Sequence, residues 1–264
     1  MLEIKNISKT FAPGTVNEKQ VIRSLSLRVD DGDFITIIGS NGAGKSTLFN
    51  LIFGNLLPDE GQVLLDGQDI TYEKEYKRAR YIGRVFQDPM RGTVPDMTLE
   101  ENLSLAYRTA GQRAFSAALS QKKRMFFKEQ VARFGMGLED RMKTKVGLLS
   151  GGQRQVVTLL MSTMVTPKLL LLDEHTAALD PATAEKIMEI TKAIVAENRI
   201  PTLMITHNIS QALSTGTKTV MMDDGALIYE VSGAQRAAMG VEDLLAVYKE
   251  KKKKNLDNDR ILLS

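Results

Sequence analysis

The spacing of apolar positions sorts this chain into strands and helices before any residue is given a chemical role. LEIKNIS, from Leu2, alternates apolar and polar residues as a half-buried strand does, and LSLRV, from Leu25, does the same before the turn DDGD. FITII, from Phe34 to Ile38, is continuously apolar and runs into a glycine loop, followed by the helical STLFNLIFG. Gly54 sits where that helix should stop, and LLPDEG turns into a strand at QVLLDG. YIGRVFQ, from Tyr81 to Gln87, reads as another strand.

From Thr98 to about Lys145 the pattern becomes helical and charge-rich, opening with Thr98 and Glu101 at capping-box spacing. A helical subdomain inserted over about 98–148 is predicted. A further helix carries Val156, Val157, Leu160, Met161 and Met164 before Pro167 breaks it. Strand, helix and strand then follow at KLLLLDE, PATAEKIMEITKAIVAENR and PTLMITH, and TVMMDDGALIYEV reads as a hairpin turning at Asp224 and Gly225. An amphipathic helix from about Val241 leads into a lysine-rich tail. The alternation predicts an α/β fold with a mostly parallel sheet flanked by helices.

Composition narrows the function. With 264 residues, 43% hydrophobic and 25% charged, the chain has length for a sizeable core and the balance of an ordinary globular protein. The formal charge is +3, but KEKKKK, from Lys249 to Lys254, contributes +4 and leaves the rest at −1. A nucleic-acid partner is therefore not expected, because binding one needs clustered cations on a folded face. The lysine run reads as a solvated tail, with loose attraction to anionic lipid as the lesser alternative. There are no cysteines and two histidines, which excludes a disulfide frame, a thiolate metal site and a histidine-rich metal centre. MLEIKNISKTF lacks the apolar core of a signal peptide, and no apolar run approaches the ~20 residues that span a bilayer, so a cytosolic protein is expected.

Candidate chemistry concentrates in a few stretches. GSNGAGKST comprises Gly39, Ser40, Asn41, Gly42, Ala43, Gly44, Lys45, Ser46 and Thr47, and it satisfies the phosphate-loop pattern between a strand and a helix. Its glycines let successive N–H groups curl toward phosphate oxygens, Lys45 can neutralise them, and the Ser46 hydroxyl can ligate Mg2+. LLLLDE ends a strand in Asp173 and Glu174, whose side chains face opposite ways. One can hold Mg2+ through water while the other takes a proton from the attacking water. Gln87 and His207 also follow strands, where they could reach the metal, the water or the γ-phosphate. In LSGGQ, Ser150, Gly151, Gly152 and Gln153 start a helix and form a second anion site, which a second copy of the chain could bring to the first.

Together GSNGAGKST, Gln87, LSGGQ, LLLLDE, AALD and ITH, in this order and over roughly Met1 to Val231, resemble the ATP-binding subunit of ABC transporters. The resemblance implies a P-loop NTPase core with an N-terminal antiparallel β subdomain and the inserted helices, within a domain at 1–240. Residues 241–264 are then a C-terminal helix and tail. It implies ATP and Mg2+, bound by the phosphate loop with Asp173, Ser46 and Gln87 at the metal. Glu174 becomes the catalytic base, Gln87 the Q-loop residue and His207 the switch histidine. Ser150 to Gln153 contact the γ-phosphate held by a partner ATPase subunit in a homodimer, or in a pairing with a similar subunit. Asp180 sits at the dimer seam, and Phe11 takes the place of the ring that stacks on adenine.

His175 stands where many relatives carry proline. A separate transmembrane permease is implied, contacted near Gln87 to Lys145, where Phe115, Met125, Phe126, Phe127 and Phe134 supply apolar bulk. An extracytoplasmic substrate-binding protein follows if the system is an importer, and the subunit would sit on the inner face of the membrane. DEHTAALDP is similar to the uptake subunits for amino-acid-like solutes, with tryptophan or tyrosine as the cargo. One alternative is a non-transport ABC ATPase acting on ribosomes or DNA, though such proteins often fuse two cassettes or insert long coiled coils and this chain has one cassette and a short insertion; another is a bare P-loop kinase or GTPase, but a kinase or GTPase does not need LSGGQ.

Overall fold

The computed structural model describes residues 1–109 and 120–262, and side chains as far as residue 251. Phe115 lies outside the described residues. The first stretch of chain forms β1 (Leu2–Phe11), β2 (Lys19–Val29), β3 (Phe34–Gly39), α1 (Lys45–Phe53), β4 (Glu60–Leu65) and β5 (Gln68–Asp69). The middle forms α2 (Glu75–Arg78), β6 (Ile82–Val85), α3 (Leu99–Thr109), α4 (Gln121–Ala132), α5 (Gly151–Thr163), β7 (Leu169–Asp173) and α6 (Pro181–Asn198). The last stretch forms β8 (Thr202–Ile205), α7 (Ile209–Ser214), β9 (Lys218–Asp223), β10 (Ala226–Ser232), α8 (Gly233–Ala237) and α9 (Val241–Leu262).

These elements group into two compact units, one made of Met1–Glu73 with the chain from Pro201 onward, the other of Lys74–Ile200. In the first, β1 pairs antiparallel with β2 and β4, with bulges that break the register after Ile4 and Ile7. The alternation read from the sequence buries Leu2, Ile4 and Ile7 against Leu25, Leu27 and Val29. β3 runs parallel to both β8 and β9, and β10 returns antiparallel to β9 through the Asp224–Gly225 turn. A strand with parallel neighbours on both sides is covered on both faces, which is why FITII carries no polar alternation. The start of α9 belongs to this unit: Leu244 is buried with Ile38, Ala212, Met221 and Val231. Its backbone continues as helix through the lysine run to Leu262, where a tail was expected.

In the second unit β6 and β7 pair in parallel, with Arg84 opposite Leu171. The expected capping box opens α3: Glu101 Oε2 accepts from the Thr98 backbone N–H and hydroxyl, both at 2.7 Å. Phe127 and Phe134 are buried, so this unit's own core takes them. Phe126 packs on Tyr107 at 5.8 Å, and Met125 is exposed. The compact unit is wider than the expected 98–148 insertion, because α5 packs both on α3 and on β6, tying the inserted helices to the strand pair.

Candidate nucleotide site

The phosphate loop sits in the first unit, at the end of β3. A Cβ on Gly39 would come within 2.2 Å of the Met222 carbonyl oxygen on β9, so the strand can hand over to the loop only through glycine. Gly44 has φ +97, and a Cβ there would meet the Val21 carbonyl oxygen at 2.8 Å. It is also the N-cap of α1 and supplies no side-chain acceptor to the first-turn N–H groups, which is the arrangement that suits an anion. Lys45 is buried and folds back over the loop, its Nζ donating to the carbonyl oxygens of Gly39 at 2.7 Å and Ser40 at 2.9 Å. Ser46 and Asn41 are exposed, and the turn of the β9–β10 hairpin braces the loop through Gly225 N–H to the Ala43 carbonyl, 3.1 Å. His207 follows β8 and lines, with Gly39 and Ser40, a cavity of about 220 Å³. Phe11 ends β1 with its ring exposed.

The carboxylates sit in the second unit. Asp173 ends β7, and its Oδ2 accepts from Arg84 Nη2 at 3.2 Å, with the two side chains only 14% and 4% exposed. The register explains the pair: Arg84 lies opposite Leu171, so its side chain shares a face with Asp173 two residues on. The Arg84 guanidinium also lies 4.7 Å from the centroid of Phe86, the residue before Gln87. Desolvation pushes the Arg84 pKa down, against the pull of Asp173. Glu174 adopts φ +47, a left-handed conformation uncommon for a residue with a side chain. Gln87 is exposed beyond β6.

The glycine pair at the start of α5 has two separate jobs. Ser150 is the N-cap, accepting from Gln153 N–H at 3.3 Å, while Gln153 Oε1 accepts from Ser150 N–H at 3.2 Å and from Arg141 at 3.1 Å. Gln153 Nε2 donates to the Met136 carbonyl at 3.3 Å, so its amide is committed to holding the cap in shape. A Cβ on Gly152 would stand 2.5 Å from Thr183 Cγ2, which makes this glycine the contact that lets α5 approach α6. Asp180 caps α6, and hydrogen bonds from Thr183 hold its carboxyl below the usual range.

Motif order, strand and helix context and the two glycine-rich helix starts point one way, and the family described as ABC transporter matches residues 22–177, more than half of the chain. The chain belongs to the ABC transporter family, as an ATP-binding, ATP-hydrolysing subunit. This ABC subunit is 43% identical to the tyrosine transport ATP-binding protein of Clostridioides difficile (strain R20291), over 93% of this chain and 97% of that one. It is 35% identical to the bicarbonate transport ATP-binding protein CmpD of Synechocystis sp., over 85% of this chain and 74% of that one. Among solved structures, the ATP-binding cassette MJ0796, dimeric in a post-hydrolysis state bound to ADP and Pi, matches with a TM-score of 0.76 at 30% identity, covering 88% of this chain and 98% of that one. The relatives named here are transport subunits, and nothing in these matches favours the ribosome- or DNA-acting reading.

In the ABC subunit His175 packs inside the second unit. It is buried, its Nε2 is 3.3 Å from Thr191 Oγ1, and that hydroxyl donates its one proton to the Ile187 carbonyl at 2.7 Å. The imidazole must therefore be the donor, protonated at Nε2. Burial pushes its pKa down to about 4. Sequence reasoning passed over Arg84, Asp223 and Tyr248. Arg84 had a visible signal, a lone cation inside an apolar strand, which must find a counter-ion when buried. Asp223 and Tyr248 had none, since acidic turns and tyrosines on amphipathic helices are ordinary.

Proposed function

We propose that this subunit powers uptake of an aromatic amino acid, with tyrosine as the first candidate. The observation that carries this is the 43% identity to a tyrosine transport ATP-binding protein over nearly the whole of both chains. Among the described residues no helix is long and apolar enough to cross a membrane, so passage of solute belongs to a separate permease. Exposed Met90, Val94, Met97, Leu105 and Met125, all in the second unit, supply the apolar surface for docking it, on the inner face of the membrane. A substrate-binding protein on the other face completes an uptake system.

Two such subunits pair so that each ATP lies between one chain's phosphate loop and the other's LSGGQ. Gly39 to Thr47 hold the phosphates, with Lys45 leaving its carbonyl partners to meet the charge. Phe11 packs on the base. Ser150, Gly151 and Gly152 present the second cradle, shaped by Gln153, and Asp180 lies at the seam. Glu174 accepts the proton of the attacking water, Gln87 orients that water, and His207 contacts the γ-phosphate.

Mg2+ suits the oxygen donors present, the Ser46 hydroxyl, the Asp173 carboxylate and the Gln87 carboxamide, since hard cations select such a set. Ser46 is exposed, and Asp173 is paired with Arg84, so its carboxylate would be shared between that cation and the metal. When bound, Mg2+ neutralises charge on the phosphates. The test of the general base is Glu174→Gln: ATP binding is retained, turnover is lost and an ATP-bound dimer accumulates in sedimentation. Steady-state hydrolysis at the wild-type rate would overturn the assignment. The cargo is tested by deleting the gene and following labelled tyrosine, tryptophan and methionine; unchanged tyrosine uptake would refute that choice.

A further inference from the structure

The opening residue of the phosphate loop is tied to the C-terminal helix. Ser40 Oγ donates to Asp223 Oδ1 at 3.1 Å, and the Tyr248 hydroxyl donates to the same oxygen at 3.3 Å. Strand pairing delivers that carboxylate to the loop: Gly39 lies opposite Met222 across the parallel β3–β9 pair, and Asp223 is the next residue along. Asp223 is buried, so its bonds to the two hydroxyls are shielded from water. Tyr248 is held in reach because α9 is anchored one turn earlier by Leu244, fully buried with Ile38 and Met221, with Val247 and Tyr248 packed on the same cluster. Both residues lie beyond the segment that matches the family, which ends at residue 177.

Ser40 is held from a second side as well, through Lys45 Nζ on its carbonyl oxygen at 2.9 Å. If Lys45 turns to the phosphates, that tether is released; the Ala43 N–H still holds the Ser40 carbonyl at 3.2 Å, and the bond to Asp223 is what fixes the Ser40 side chain while ligand is bound. We propose that Asp223 and Tyr248 are positioning residues for the phosphate loop, so that affinity for ATP depends on the docking of α9. This rests on the reading of Gly39–Thr47 as the ATP site. Tyr248 acts through Asp223, and Asp223 through Ser40; neither touches nucleotide. A loop held ready binds more tightly than one that must be ordered on binding.

The test is ATP binding and steady-state hydrolysis by the full chain carrying Tyr248→Phe, Ser40→Ala, both together, or Asp223→Asn, with Lys45→Ala as the control. Tyr248→Phe keeps the ring in its packing and removes one hydrogen bond, so ATP affinity falls about two- to tenfold, the range such a bond spans. KM rises to match, while kcat at saturating ATP changes by less than about twofold. Asp223→Asn weakens binding in the same direction. In the Ser40→Ala background the relay is already cut, and adding Tyr248→Phe has no further effect. Wild-type affinity in Tyr248→Phe, or a loss that persists undiminished in the Ser40→Ala background, overturns the proposal. Wild-type ATP binding by Lys45→Ala would instead overturn the reading of the loop itself, so the two failures are told apart.

Discussion

Arg84→Met removes the cation from a nearly buried ion pair while keeping a similar apolar volume. The partner left behind, Asp173, is 14% exposed, so its carboxylate loses a counter-charge with little access to water. Removing one member of a buried pair costs about 3–5 kcal/mol, and the position of Asp173 at a strand end allows some relaxation toward solvent, which places the expected loss near 3 kcal/mol. The competing term is the contact of Arg84 with Phe86, worth about 0.5–2 kcal/mol, so the ion pair dominates and Phe86→Leu should cost about 1 kcal/mol through Arg84. For a chain of this size about 3 kcal/mol corresponds to a fall of roughly 6–12 °C in the melting midpoint, read by circular dichroism without nucleotide. Adding Asp173→Asn should recover most of that loss, giving a non-additivity of at least about 2 kcal/mol. An Arg84→Met protein within about 1 kcal/mol of wild type, or a double variant equal to the sum of the singles, refutes the reasoning.

Three further outcomes follow from the geometry. His175 has a folded pKa near 4 against an ordinary 6.5, so the unfolded chain takes up a proton first. Stability is complete above about pH 6.5 and falls as pH drops toward 4, by about 3 kcal/mol in all; in His175→Met that slope of midpoint against pH flattens, and an unchanged slope counts against it. Gly152→Ala drives a methyl to 2.5 Å from Thr183 Cγ2 and should cost about 1–3 kcal/mol, with Thr183→Ser restoring most of it; a thermal midpoint equal to wild type in the single variant contradicts the packing argument. Ser150→Arg fills the second anion cradle, so ATP-driven dimerisation is lost while the monomer still binds ATP, and sedimentation of a dimer of wild-type stability rules against the shared site.

Much of this protein was legible in its sequence because the relevant physics is local. A phosphate loop needs its glycines, lysine and hydroxyl at fixed offsets between a strand and a helix, and Gly39, Gly44, Lys45 and Ser46 announce it without help from the rest of the chain. Caps are local too, so Thr98, Ser150 and Asp180 could be read as helix starts. The continuous apolar run of FITII and the alternation of LEIKNIS separate a strand buried on both faces from one buried on a single face.

What tertiary structure decided is every relation between residues far apart in the chain. Arg84 and Asp173 are separated by 89 positions, Ser40 and Asp223 by 183, and only the register of parallel strands makes them partners. Phe127 and Phe134, apolar bulk with two plausible destinations, went to the core, Phe127 from the inward face of α4 and Phe134 from the turn that follows it. The left-handed backbone of Glu174 likewise has no sequence signal, since a glutamate there is held by its surroundings and has no preference of its own for that conformation. Local pattern could name the loop and the carboxylates; the loop's support, and the cation facing Asp173, come from long-range pairing that no window of sequence contains.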